Sequence, residues 1–109
     1  MAISYKVLGQ SNPAANTLVS LYTVPLATNT VISTIQVCNL ANTTGQYSIA
    51  VRVGGAAISN SQYIVYNANI LPLDSVGFTI GLTLAATDII SVNSQSSQIT
   101  FSAFGSEIS

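Results

Sequence analysis

The sequence predicts an all-β fold: a single-domain antiparallel β-sandwich of about eight strands over residues 1–109, jelly-roll or immunoglobulin-like. Three observations lead there. Apolar and polar residues alternate at period two, as a strand with one dry face requires. β-Branched residues dominate, and clusters of Gly, Asn, Pro and Ser punctuate them at fairly regular spacing. No stretch carries helical periodicity. Short strands of this kind bury their apolar faces as two packed sheets or as a barrel.

In chain order, Ile3–Leu8 reads as the first strand, and Ser11-Asn12-Pro13 ends it. Thr17–Val24 follows, up to the break Pro25–Asn29. Thr30–Leu40 is next, and Asn42-Thr43-Thr44-Gly45 reads as the turn of a hairpin with the strand after it. That strand, Tyr47–Val53, carries the clearest alternation. Tyr47, Ile49, Val51 and Val53 share one face, and Ser48, Ala50 and Arg52 share the other. Gly54-Gly55 reads as a tight connection to a strand at Gln62–Tyr66. Pro72–Ser75 separates this from Val76–Leu82, and Leu82–Ala86 is the one place where a helical turn fits. After the break at Ala85–Asp88 come Ile89–Val92, a low-complexity hairpin tip at Asn93–Gln98, and the last strand, Ile99–Phe104.

Charge is the most unusual feature of the composition. Only Lys6, Arg52, Asp74, Asp88 and Glu107 are charged, 5% of the chain where ~25% is usual. The hydrophobic share is 49% and the mean hydropathy +0.54. The 15 Ser, 11 Thr, 9 Asn and 6 Gln must therefore form the wet surface. Near-zero net charge favours association, and hydroxyls and amides desolvate more cheaply than ions. The composition thus points to subunit contacts rather than to an ordinary low-charge monomer. Nucleic acid is excluded as a partner, because two cations within a net charge of −1 supply no phosphate-neutralising patch. No apolar run approaches the ~18–20 residues of a membrane helix, and Met1–Lys6 lacks a basic segment leading into an apolar one. A soluble chain made in a cytoplasm, without signal peptide or membrane partner, is expected.

Chemistry is hard to place on this sequence. Without His there is neither the usual general base nor the commonest metal ligand. One Cys and three carboxylates match no zinc spacing and are too few for calcium. Cys38 has no partner for an intrachain disulfide and reads as a small core side chain. Asp74 and Asp88 are the one candidate for an acid/base pair of the glycosidase kind, but each sits where Asp stabilises a turn. Gly54-Gly55 is followed by no Gly-Lys-Ser/Thr and is not a phosphate loop. Asn42-Thr43-Thr44 matches a glycosylation acceptor but lacks a secretory context. No enzyme is expected, and no catalytic, cofactor-binding or metal-binding residue is assigned. One binding reading stays open. Tyr47, Tyr63 and Tyr66, with Asn60, Asn67 and Asn69 nearby, are the residue types that line a sugar site, although Tyr in a small sandwich also serves core and interface.

Several stretches resemble small virion structural proteins of tailed phages, of the type found in phages of cyanobacteria and other marine bacteria. They are Met1-Ala2-Ile3-Ser4-Tyr5-Lys6-Val7-Leu8-Gly9-Gln10, Leu21-Tyr22-Thr23-Val24-Pro25, Ile49-Ala50-Val51-Arg52, the run from Leu82 to Val92, and Phe104-Gly105-Ser106-Glu107-Ile108. The resemblance covers nearly the whole chain and rests on strand and turn patterns. It implies a β-sandwich building block located in the virion and made in the host cytoplasm. Its implied partners are the major capsid protein or other virion subunits, and copies of itself, with a trimer favoured. One placement is a capsid cement or decoration protein that binds the outer shell and bridges capsomers. The other is a tail, neck or fibre component. A host-glycan-binding module and a cellular structural protein are the competing readings. Ala2–Gln10 and Phe104–Ser109 are the expected contact segments, and at least one sheet edge is expected to pair with a neighbour.

Overall fold

The period-two stretches become nine antiparallel strands in a computed structural model that describes residues 2–79 and 81–109. They are β1 (Ile3–Ser11), β2 (Val19–Thr23), β3 (Asn29–Asn39), β4 (Gly45–Arg52), β5 (Tyr63–Ile70), β6 (Ser75–Phe78), β7 (Leu82–Leu84), β8 (Ile89–Ser94) and β9 (Ile99–Ile108). The first sheet has the order β1-β9-β3-β6, with β7 pairing the same strand β3, and the second has the order β2-β8-β4-β5.

The pairing is nested. β1 pairs with β9, β2 with β8, β3 with β6 and β7, and β4 with β5. The chain is therefore one long hairpin whose tip lies between β4 and β5. It is rolled shut where β9 also pairs with β3 and β8 with β4. This is the connectivity of a jelly roll, with β6 and β7 together filling one position, and it sets aside the immunoglobulin-like alternative, whose sheets place several sequential strands side by side. Among the described residues β4 and β5 are the only sequential strands that pair.

This connectivity corrects several expectations. Asn42–Gly45 does not close a hairpin, because β3 and β4 belong to different sheets. The Asn93–Gln98 segment likewise carries the chain from one sheet to the other. Gly54-Gly55 is no tight link but the start of an excursion through Val53–Gln62, with one-turn 3₁₀ helices at Val53–Gly55 and Asn60–Gln62. No helical turn forms at Leu82–Ala86, where β7 and a turn stand instead. The expected strand Val76–Leu82 is divided into β6 and β7; Gly81 between them takes φ +60, and Ile80 lies outside the described residues.

The core is the layer between the sheets. Ile32, Ile35, Val37, Ile99, Phe101 and Ala103 face it from the first sheet, and Tyr47, Ile49, Ile70, Ile90 and Val92 from the second. Tyr47 packs between Phe78 and Phe101, with ring centroids 6.2 Å from each. Burying one such large side chain is worth about 1.5–3 kcal/mol. Cys38 is not part of this layer. It alternates with buried Val37 and Asn39, so its half-buried side chain lies on the outward face of β3. Arg52 lies on the outer face of β4. Its guanidinium donates to the carbonyls of Ala56 (2.7 Å) and Gly55 (3.1 Å), tying the Val53–Gln62 excursion against the outer face of the second sheet. Ala50 and Ser91, on that face, are consequently buried.

Each end of the sandwich is held by one buried polar side chain. At one end Asn39, 1% exposed, donates to the carbonyls of Thr43 (2.9 Å), Ile70 (3.3 Å) and Leu71 (3.1 Å) and accepts from Ala41 N–H (3.0 Å). At the other end Asp88, 8% exposed, accepts from Gly54 N–H (2.8 Å) and Ala85 N–H (2.9 Å), while its carbonyl accepts from Val24 N–H (2.9 Å). Asp88→Ala leaves two backbone amides without acceptors and is expected to cost about 2–4 kcal/mol. Asp88→Asn, which keeps one acceptor oxygen, costs less. Urea denaturation measures both, and an Asp88→Ala variant as stable as the parent contradicts this role.

Candidate interaction surface

The register of the first sheet decides what its outer face presents. Ile3, Tyr5 and Val7 of β1 lie opposite Ile108, Ser106 and Phe104 of β9. Ser106 in turn lies opposite Val31 of β3. Directly opposed residues share a face, so Ile3, Tyr5, Val7, Val31, Phe104 and Ile108 form one apolar area. Tyr5 is 82% exposed, and Ile3 and Val7 are each about half exposed. A shallow cleft of about 350 Å³ opens among Tyr5, Val31 and Phe104.

The area ends at a free sheet edge. Among the described residues β1 pairs with β9 on one side only, so from Ile3 to Val7 it offers five residues in continuous register before the bulge between Val7 and Gly9. Glycine is required at that bulge, because a Cβ at Gly9 would collide with the carbonyl oxygen of Leu21 on β2. The edge carries little of the charge that usually discourages strand addition. Lys6, its one ion, is paired with Glu107 at 2.7 Å.

Glu107 is the centre of a small network beneath this face. Besides Lys6 it accepts a hydrogen bond from the Tyr22 hydroxyl of β2, and Tyr22 also meets the Thr30 hydroxyl at 2.9 Å. Three strands of one sheet and one of the other converge here. The hydrogen bond from Lys6 and then that from Tyr22 hold the Glu107 carboxyl below its ordinary range. Burial, aided by Glu107, pushes the Tyr22 hydroxyl up to about 12. Burial also raises Tyr47.

The remaining expected site residues separate. Tyr47 is a core residue. Tyr63 and Tyr66 meet on β5, and with Asn60 they line a cleft of about 380 Å³. Asn67 lies instead in a polar cleft of about 210 Å³ with Asn16, Gln46, Ser48 and Asn93. Asn69 accepts a hydrogen bond from Gln46 at 3.1 Å. Asp74 is an exposed turn residue accepting from Ser75 N–H (2.8 Å), whereas Asp88 is buried at the start of β8. The two carboxylates thus serve different connections. Among the described residues no group of three or more His, Cys, Asp or Glu is gathered in an arrangement able to hold a metal ion, and no helix is long and apolar enough to cross a membrane. Of the two expected contact segments, Ala2–Gln10 supplies β1, and Phe104–Ser109 is the end of β9 rather than a loose tail.

Val31 was not foreseen as a surface residue. Its signal is the adjacent pair Val31-Ile32, of which only one member can face inward on a strand. A further exposed apolar group, Leu40, Leu71 and Leu73, lies on connections at the Asn39 end, linked by Leu73 N–H to the Ala41 carbonyl at 3.0 Å. No family model matches the chain, and the search of curated proteins found no match.

The Glu107 network makes stability depend on pH. Its carboxyl lies lower in the folded than in the unfolded chain, where the reference value is 4.5. The network therefore stabilises the fold above about pH 4.5 and loses that contribution as pH falls through the depressed folded value. Tyr22 has the opposite sign: its contribution is complete below 10.0 and is lost as pH rises through about 12. Denaturation of the parent and of Glu107→Gln is expected to show a stability gap at neutral pH that closes in acid. A gap that stays constant down to about pH 3 contradicts the assignment.

Proposed function

We propose that this chain is a structural subunit of a tailed-phage virion, a capsid cement or decoration protein that binds the outer shell and stabilises contacts between capsomers. It works by association, as a homo-oligomer with a trimer favoured, and its partner is the major capsid protein. The observation that carries this reading is the open apolar face and free β1 edge of the first sheet.

The disposition of charge supports it. Lys6 and Glu107 neutralise one another, Arg52 is spent on backbone carbonyls, and Asp88 is buried against amides. Four of the five ions thus serve the fold, and the outer face of the first sheet is left to Ile, Val, Phe, Tyr and neutral polar side chains. Such a face desolvates at low cost against a protein shell. A standard interface of about 1,600 Å² supports a tight complex, and many symmetric copies turn modest contacts into avidity.

Copy number tests the placement. Quantitative mass spectrometry of purified particles, scaled to the major capsid protein, is expected to give about one copy per shell subunit or one trimer per local threefold. A few copies per hundred shell subunits would move the protein to the tail, neck or fibre, and its absence from particles would overturn the virion reading. Within the cement reading, Tyr5→Asp and Val7→Asp each place a charge on the contact face and are expected to lower incorporation roughly tenfold while the melting temperature holds. Incorporation at the parent level contradicts the role of that face.

A further inference from the structure

Each of four strand pairs carries a register irregularity, and the β4–β5 pair carries two. The register of β5 with β4 runs Ala50↔Tyr63, Ile49↔Val65, Tyr47↔Ala68, so β5 holds one extra residue between each successive pair. These are two β-bulges in a row. The second includes Asn67, which adopts φ 47, a left-handed conformation that carries a cost for any residue but Gly. The Ser48 hydroxyl accepts the Asn67 N–H at 2.9 Å, taking the place of a ladder partner.

The bulges have a local result. Residues three apart on a regular strand point to opposite faces. Tyr63 and Tyr66 instead lie edge to face, with ring centroids 4.8 Å apart and planes at 74°. Tyr66 nevertheless remains 65% exposed, so the arrangement is not explained by filling the core. The third wall of the cleft is Asn60, on a turn pinned by Ser59 N–H donating to Gln62 Oε1 (2.8 Å) and by Gln62 N–H donating to the Ser59 carbonyl (3.1 Å).

We propose that this cleft is a binding site for a neutral pyranose sugar. Its volume of about 380 Å³ falls within the range of small-molecule sites. The C–H face of a pyranose packs on the exposed Tyr66 ring. The two phenolic hydroxyls and the Asn60 amide offer donors and acceptors to the sugar hydroxyls. None of the five charged residues lines the cleft, so it has no cation for a carboxylated or phosphorylated sugar. One aromatic pair with one amide suits a single hydroxyl-bearing ring, whereas a polyproline segment needs a longer aromatic-lined groove. The inference is independent of the virion reading, because copy number in particles does not bear on it.

The test is titration of the ¹⁵N-labelled full chain, followed by NMR, with methyl α-D-glucopyranoside, methyl α-D-mannopyranoside, methyl β-D-galactopyranoside and N-acetylglucosamine, and with decaproline as the competing probe. At least one sugar is expected to shift the amides of Asn60, Tyr63 and Tyr66 saturably, with a dissociation constant on the order of 1 mM. Tyr66→Ala is expected to weaken that binding at least about tenfold, whereas Tyr66→Trp, which keeps an aromatic face, retains it. The Trp variant separates loss of the site from loss of the fold. Silence of all four sugars at these amides, undiminished binding by Tyr66→Ala, or binding of decaproline alone overturns the proposal.

Discussion

A jelly roll must carry its chain repeatedly from one sheet to the other, and here six of the eight connections make that crossing. Each crossing exposes backbone amides and carbonyls that no ladder can satisfy, at the rims of an apolar layer where an unpaired polar group is costly. Two side chains meet that demand. Asn39 binds the β3–β4 and β5–β6 connections together at one end, and Asp88 joins the connections around Val24, Gly54 and Ala85 at the other. With both rims closed, the Ile, Val and Phe side chains of the two inner faces stay in register, and that closure positions both outer faces.

The two outer faces then diverge. The Val53–Gln62 excursion, held by Arg52, lies on the second sheet and buries Ala50 and Ser91, leaving the tyrosine cleft at the β5 margin. Among the described residues nothing comparable covers the first sheet at β1, where Tyr5 is 82% exposed. An internal division of charge accompanies this geometry, since ions that usually keep surfaces apart are consumed within the fold. In the proposed function the bare face meets the shell. The cleft belongs to the other sheet, so a sugar bound there would not compete directly for the β1 face.

The strands themselves were largely legible in the sequence. Period-two alternation located seven of the eight expected segments, because burial of one face imposes it whatever the topology, while the eighth, Val76–Leu82, covers the two short strands β6 and β7. Pairing was not legible. The turn Asn42-Thr43-Thr44-Gly45 carries hairpin residues, yet it spans two sheets, since turn chemistry fixes how a chain reverses and not which neighbour it then meets. The burial of Cys38 was misjudged for a related reason: alternation makes Val37 and Asn39 the inward pair, and a polar residue such as Asn39 takes a core position because three backbone carbonyls at the rim take hydrogen bonds from its amide. The meeting of Tyr63 with Tyr66 depends on bulges set by the β4–β5 ladder, and such bulges leave no local signature in residue type. The pairing of Lys6 with Glu107 is likewise a product of the β1–β9 register, about a hundred residues apart along the chain.

In the proposed function β1 and the face beside it are the surface by which this protein assembles. Hydrogen exchange of the chain, free and then incorporated in particles, addresses it most directly, because edge amides exchange readily until they are covered. Strong new protection is expected across Ile3–Val7 and Phe104–Ile108, with β4 and β8 unchanged. Equal exchange of β1 in both states, with new protection confined to other strands, would contradict that role.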